Sequence, residues 1–331
     1  AGHAWAVDIA ARSTRFTEFN ALLNGIANVT VLQGDVYGPV AGQTFDRIVA
    51  HPPFMPKLQA TLIFADGGED GEQITRRVVA GLGDHLRPGG RLYCRCLATD
   101  RKDAPLEQRV REMLGAAAPH FDVLVLARKT MPATQFFCQL LARGEVSAEA
   151  YAKQMGVYAD LGVENLVLCT VVIERHAEPR QPLDIRRELA PRVEPQPELA
   201  DWLFRWERAA GDPGAAAKML PATPVASKHA EIRLAHHMDR GELRAHGCTV
   251  TTRFPFSFTF ESSPGLALLL GRCDGTRTVA ALLDELKQIG ALPLDTEVEN
   301  FLHLVRRLVG GGALEIPEHQ LPQPPERYAR S

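Results

Sequence analysis

The chain has 331 residues, a formal net charge of -3 and 45% hydrophobic residues. That length suits about two domains, and the near-neutral balance gives no general basic surface of the kind a nucleic-acid binder presents. No run reaches the roughly 18 to 20 apolar residues of a membrane helix.

The first half alternates strands and helices. Ala4 to Val7 is a short apolar run that ends on Asp8. Residues 11 to 24 place Phe16, Phe19, Leu22 and Leu23 at helical spacing before Asn24-Gly25 closes the helix. A strand over 28–32 runs into Gly34-Asp35, and one over 45–50 stops at His51-Pro52-Pro53-Phe54. A helix over about 72–85, the turn Arg87-Pro88-Gly89-Gly90 and a strand over 91–97 follow. Next come a helix over 105–118, a strand over 121–127, a helix over 148–161 and a β-branched strand over 165–174. Strands separated by such helices make right-handed crossovers, so the expected fold is α/β with a doubly wound, mostly parallel sheet and an antiparallel final pair.

After His176, prolines at 179, 182, 191, 195 and 197 punctuate the chain. The expected organisation is a domain over 1–176, a linker and Trp-bearing helical arm over 177–225, a smaller α+β domain over 226–317 and a disordered tail over 318–331. In the smaller domain, strands are expected near 229–235 and 248–260, helices over 277–288 and 295–309, and a short strand over 313–316. The six cysteines contain no Cys-x-x-Cys pair and lie mostly in apolar runs. They read as buried reduced thiols, so no metal is expected and the cytoplasm is the expected compartment. His236-His237 would point to opposite faces of a strand, which does not build a metal site.

Chemistry concentrates where the first strands end. In an open parallel sheet, ligands lie across the carboxyl ends of the strands. Three consecutive strand ends here carry Asp8, Asp35 and His51-Pro52-Pro53-Phe54. A strand-end carboxylate can accept paired hydrogen bonds from ribose hydroxyls, although it can also simply cap the following helix. Two prolines after a buried strand end its hydrogen-bond ladder and fix the backbone, and the ring after them makes a platform beside a reacting centre.

This ordered set resembles the class I S-adenosylmethionine-dependent methyltransferases of the small-domain group, which includes release-factor glutamine, ribosomal-protein glutamine and rRNA guanine methyltransferases. Asp8-Ile9, Gly34-Asp35-Val36 and His51-Pro52-Pro53-Phe54 match the group's acidic, Gly-Asp-hydrophobic and Asn-Pro-Pro-aromatic motifs. Leu86 to Gly90 and Asp66-Gly67-Gly68-Glu69-Asp70-Gly71 match a later turn and a glycine-rich segment. The resemblance covers about 1–176 and implies a Rossmann-like sheet with S-adenosylmethionine as cofactor. It places Asp8 on the ribose, Ile9 and Val36 beside the adenine, Gly34 in the loop and Asp35 on the adenine amino group. His51, Pro52, Pro53 and Phe54 fall beside the methyl group, where they would form the catalytic motif.

Two departures qualify it. The group's glycine-rich loop after its first strand has no counterpart, so the sequence reads as truncated there, with two strand edges exposed and cofactor binding weakened. His51 stands where nitrogen-methylating members carry Asn. A neutral imidazole cannot copy an amide's donor–acceptor pair, which leaves a nitrogen or oxygen of a protein, RNA or small molecule open as acceptor. A catalytically degenerate scaffold and a nicotinamide-dependent oxidoreductase are the alternatives. The second leaves Pro52-Pro53-Phe54 unexplained.

Residues 266 to 316, with Asp274-Gly275-Thr276 opening a helix and a glycine triplet before the last strand, resemble small winged-helix domains that bind precursor peptides. Recruitment of a peptide by this domain is the partner that resemblance implies.

Overall fold

A computed structural model describes residues 2–56 and 65–322. The chain divides between Arg186 and Arg187 into two compact units.

The first unit is α/β. Strand β1 (Ala4–Asp8) leads through helix α1 (Ala11–Leu23) to β2 (Val29–Gln33), and the two strands pair in parallel from Ala4↔Val29 to Asp8↔Gln33. β3 (Phe45–Ala50) is followed by α2 (Gln73–Ala80) and α3 (Leu82–His85). The remaining elements are β4 (Leu86–Arg101), α4 (Leu106–Met113), β5 (Phe121–Pro132), α5 (Ala133–Ala142), α6 (Ala148–Asp160), β6 (Val163–Arg175) and β7 (Asp184–Glu188).

The strands fall into two sheets. β1 and β2 form one, and the other has the order β3-β4-β6-β5-β7. β3 and β4 are parallel, whereas β6 runs antiparallel to both β4 and β5. The crossover pattern and the antiparallel final pair agree with the sequence reading. β1 and β3 are edge strands of their respective sheets. Trp5 near the start of β1 packs edge-on against Phe45 at the start of β3, 5.4 Å between centroids, so both strands begin at the same end.

The turn expected over 87–90 is an irregularity inside β4. The register jumps there from Phe45↔Leu86 to Arg47↔Arg91, with Gly89 at a φ of 75°. The helix expected over 72–85 breaks at Gly81, whose missing side chain admits the Tyr37 ring. Helix α5 falls where the sequence analysis assigned no element, between the strand expected over 121–127 and the helix expected over 148–161.

The core lies around the larger sheet. β5 and β6 are buried along most of their length, as strands covered on both faces must be. Val79, Leu82, Leu92, Val110, Val125 and Val171 belong to one buried cluster. Phe137, Tyr158 and Leu166 belong to another. Sulfur is part of the first: Cys94, Cys96 and Cys169 are buried free thiols, with Sγ of Cys96 and Cys169 3.8 Å apart. Contact with Cys96, together with burial, holds the Cys94 and Cys169 thiols well above their usual pKa.

The second unit contains α7 (Pro197–Gly211), α8 (Ala215–Met219), β8 (Val225–Ala226), β9 (Ala230–Asp239), β10 (Glu242–Thr252), β11 (Phe258–Ser262), α9 (Gly265–Leu270), α10 (Val279–Gln288), α11 (Val298–Gly310) and β12 (Leu314–Glu315). β9, β10 and β11 form an antiparallel sheet, and β8 pairs with β12. The single strand expected over 248–260 is two, β10 and β11, separated at Arg253 to Ser257. Arg240-Gly241 closes the β9–β10 hairpin with both residues at positive φ, as a two-residue turn matching strand twist requires. The turn over 274–276 forms as read, with the Asp274 carboxylate accepting from the Thr276 amide, and Thr278 caps α10 by accepting from Ala281. Trp202 donates from Nε1 to the carbonyl of His319 at 3.0 Å, within the segment expected to be a disordered tail. The rest of that segment, 323–331, lies outside the described residues.

Candidate cofactor and acceptor site

β1 delivers Asp8 to the start of α1. Asp8 Oδ1 accepts from the amide of Ala10 at 2.8 Å, at a helix whose N-cap residue, Ala10, has no side-chain cap of its own. Asp8 therefore does serve the helix, and one oxygen of the carboxylate is committed to it. Its backbone carbonyl accepts from Gly34 at 3.0 Å, and Gln33 Nε2 donates to the carbonyl of Ile9 at 3.3 Å. These bonds bring Asp8-Ile9 and Gly34-Asp35 together at one edge. Ile9 is 52% exposed, an open apolar surface beside the carboxylate.

The second strand end is shaped by steric limits. A Cβ on Gly34 would lie 2.2 Å from Cγ of Pro39, so only glycine fits. Val36 has a φ of 49°, and holding a β-branched residue there costs roughly 1–3 kcal/mol. The neighbouring Tyr37 holds the turn in place. Its hydroxyl donates to the carbonyl of Val78 at 2.9 Å, and its ring stacks 4.3 Å from that of His85. Burial pushes the Tyr37 hydroxyl pKa upward, which keeps it a neutral donor. Asp35, half exposed, pairs with Arg77 of α2 at 2.8 Å.

The third strand end differs in surroundings. His51 is exposed, Pro52 is buried, and Pro53 and Phe54 are half-buried. The rings of His51 and Phe54 lie 5.6 Å apart, and Phe54 packs against the core cluster that contains Phe137 and Tyr158. The Met55 amide donates to the carbonyl of Ala65, and the Gly67 amide donates to that of Met55, a parallel bridge from the motif to the glycine-rich segment.

Beneath that segment lies a charged cluster that the sequence reading did not single out. Glu72 is fully buried. Its Oε1 accepts from the amide and hydroxyl of Thr99 and from Arg109 Nη1, at 2.7, 2.8 and 2.9 Å. Its Oε2 accepts from Arg109 Nη2 at 2.5 Å and from Arg76 at 3.3 Å. Asp70 accepts from the Glu72 amide, from both terminal nitrogens of Arg76 and from Arg101. Burial works to raise the Asp70 pKa, but the hydrogen bonds and charges of Arg76 and Arg101 outweigh it, and the net direction is down. The signal available in the sequence was Glu72 four residues before Arg76 at the start of a helix, next to a glycine-rich acidic segment.

The predicted residues thus form two groups. Asp8, Ile9, Gly34, Asp35 and Val36 gather on the β1–β2 sheet, and His51 to Phe54 follow the edge strand of the larger one. Among the described residues, no cluster of His, Cys, Asp or Glu could hold a metal ion. His236 and His237 are exposed on β9, with the His237 ring 5.3 Å from that of His246. No helix of the described residues is long and apolar enough to cross a membrane.

Residues 2–118 match the family described as the methyltransferase small domain. A release factor glutamine methyltransferase of Gloeobacter violaceus is 31% identical over 106 residues, 28% of this chain and 37% of that protein. A second, from Moorella thermoacetica, is 36% identical over 99 residues, 27% of this chain and 35% of its own length. A ribosomal protein uL3 glutamine methyltransferase of Bradyrhizobium diazoefficiens is 29% identical over 132 residues, 37% of this chain and 38% of that protein. The chain therefore spans less than half the length of these curated relatives.

Proposed function

From the match of residues 2–118 to the methyltransferase small domain family, we propose that the chain carries an S-adenosylmethionine-dependent methyltransferase site whose acceptor is a nitrogen or oxygen presented at His51-Pro52-Pro53-Phe54. The observation that carries this reading is the joining of Asp8-Ile9 to Gly34-Asp35 by the Gly34 amide on the Asp8 carbonyl. It sets two carboxylates and an exposed apolar side chain at the ends of adjacent parallel strands.

The residues present fit the adenosine part of the cofactor. Asp8 keeps one carboxylate oxygen beyond its bond to Ala10, enough to accept from a ribose hydroxyl. Asp35, held in place by Arg77, would accept from the adenine amino group, with Ile9 and Val36 beside the ring. The cofactor, when bound, supplies a methyl group on a sulfonium, which is lost by in-line displacement. The chain's part in that displacement is to align the acceptor and exclude water. Pro52 and Pro53 fix the backbone, Phe54 walls the acceptor, and His51 takes the acceptor's proton at a ring nitrogen. The small-domain relatives that methylate glutamine in release factors and ribosomal protein uL3 make protein side-chain amides the first acceptors to test. The second unit is assigned recruitment of a peptide acceptor, and the buried reduced thiols suit the cytoplasm.

Transfer of tritium from methyl-labelled S-adenosylmethionine to a release factor or to ribosomal protein uL3 tests the proposal. The expected result is incorporation by the wild-type chain and its loss in Asp8→Ala. A second comparison uses His51→Asn. Turnover of an oxygen or amine acceptor should fall in that variant, and unchanged turnover would remove the imidazole from proton transfer.

A further inference from the structure

We infer that Glu72 and Asp70 are positioning residues for the acceptor platform, acting through the glycine-rich segment on the backbone of Phe54 and Met55; this rests on the reading of residues 51–54 given above. The segment touches the platform in three places. Ala65 accepts from the Met55 amide at 2.9 Å, and Met55 accepts from the Gly67 amide at 2.8 Å. At Gly71, whose φ is 85°, a Cβ would lie 2.5 Å from the carbonyl oxygen of Phe54. The glycine therefore lets two stretches of backbone meet closely where any side chain would hold them apart.

The segment is in turn fixed from four elements. Arg76 on α2, Thr99 and Arg101 on β4 and Arg109 on α4 converge on the two carboxylates. Gln154 on α6 donates to the carbonyl of Glu69 at 3.0 Å, and the Gln73 amide donates to Gly67. Apolar side chains could fill such a volume with equal or greater stability. What the ionic set adds is direction, because every oxygen of Glu72 and Asp70 has donors at fixed angles. Thr99 and Arg101 belong to the strand that pairs with β3, so the end of β3 and the segment that braces it share one anchor.

Hydrogen–deuterium exchange on the intact chain tests the placement without any substrate. In Glu72→Gln the amides of Met55 and Gly67 should exchange about tenfold faster, while those of Val123 to Leu126 and Val171 to Ile173 keep wild-type protection. Gly71→Ala leaves each ion pair in place and should produce the same local rise. It decides the matter together with Arg76→Gln if Glu72→Gln does not fold. Wild-type protection of Met55 in these variants would overturn the inference. In the methyl-transfer assay with a release factor, kcat should fall about tenfold or more in Glu72→Gln with KM for S-adenosylmethionine within about twofold. Loosened Met55 with unchanged kcat would also overturn it. Absence of transfer by the wild-type chain would sink the proposed function instead, and the exchange data would still judge the placement.

Discussion

The two parts of the first unit hold their carboxylates in opposite ways. On the β1–β2 sheet, Asp8 and Asp35 stand at strand ends with local or exposed partners, and the apolar side chain next to Asp8, Ile9, is open to solvent. Beside the larger sheet, Asp70 and Glu72 lie beneath the surface and are matched by three guanidinium groups. A carboxylate left with spare acceptor capacity is available to a ligand, whereas one saturated by fixed donors can only hold its neighbours. Under the proposed function, the comparison separates the residues assigned to the cofactor from those assigned to shaping the acceptor platform.

The largest expected effect breaks the buried set. Glu72→Ala strands Arg109 without its partner and should lower the stability of the first unit by about 3–5 kcal/mol in a guanidinium titration. A loss below about 1 kcal/mol would mean that the cluster is solvated and the contrast false. Next in size is Gly34→Ala. The added methyl meets the rigid Pro39 ring, and overpacking of this kind costs about 1–3 kcal/mol. Its effect should be confined to β2 and the turn after it, as read from amide shifts.

The pH dependence sharpens the contrast. The Asp70 pKa is lowered on folding, so its contribution is complete above the ordinary carboxylate range. It fades as pH falls through that range to the lowered value. The stability gap between wild type and Asp70→Asn should therefore close on acidification, and a gap that widens would reverse the assignment. Smallest is Arg77→Gln, which removes an exposed pair with Asp35 and should change stability by about 0.2–1 kcal/mol.

Much of this was legible from spacing alone. The α/β alternation, the ends of β1 and β3 and the capped start of α10 follow from apolar periodicity, prolines and Thr278. The insertion of β6 between β4 and β5 was not, because pairing is a tertiary outcome and each strand reads the same in any order. The site showed the same limit. Asp8, Asp35 and the Pro-Pro-Phe motif announce themselves by position at strand ends. Glu72 and Arg109, 37 residues apart in sequence, form a pair only after α2 and α4 have packed together. Tyr37 reads as an ordinary turn residue until Val78 and His85 are seen against it.

The central claim is that Asp8 and Asp35 face S-adenosylmethionine. Titration calorimetry of the chain, expressed with whatever coding sequence lies in frame before Ala1, tests it most directly. The account predicts binding of S-adenosylmethionine that Asp8→Ala weakens by about tenfold or more, as loss of a charge-assisted ribose bond would, and no comparable binding of NAD. Tight NAD binding, or S-adenosylmethionine binding indifferent to Asp8→Ala, would contradict it.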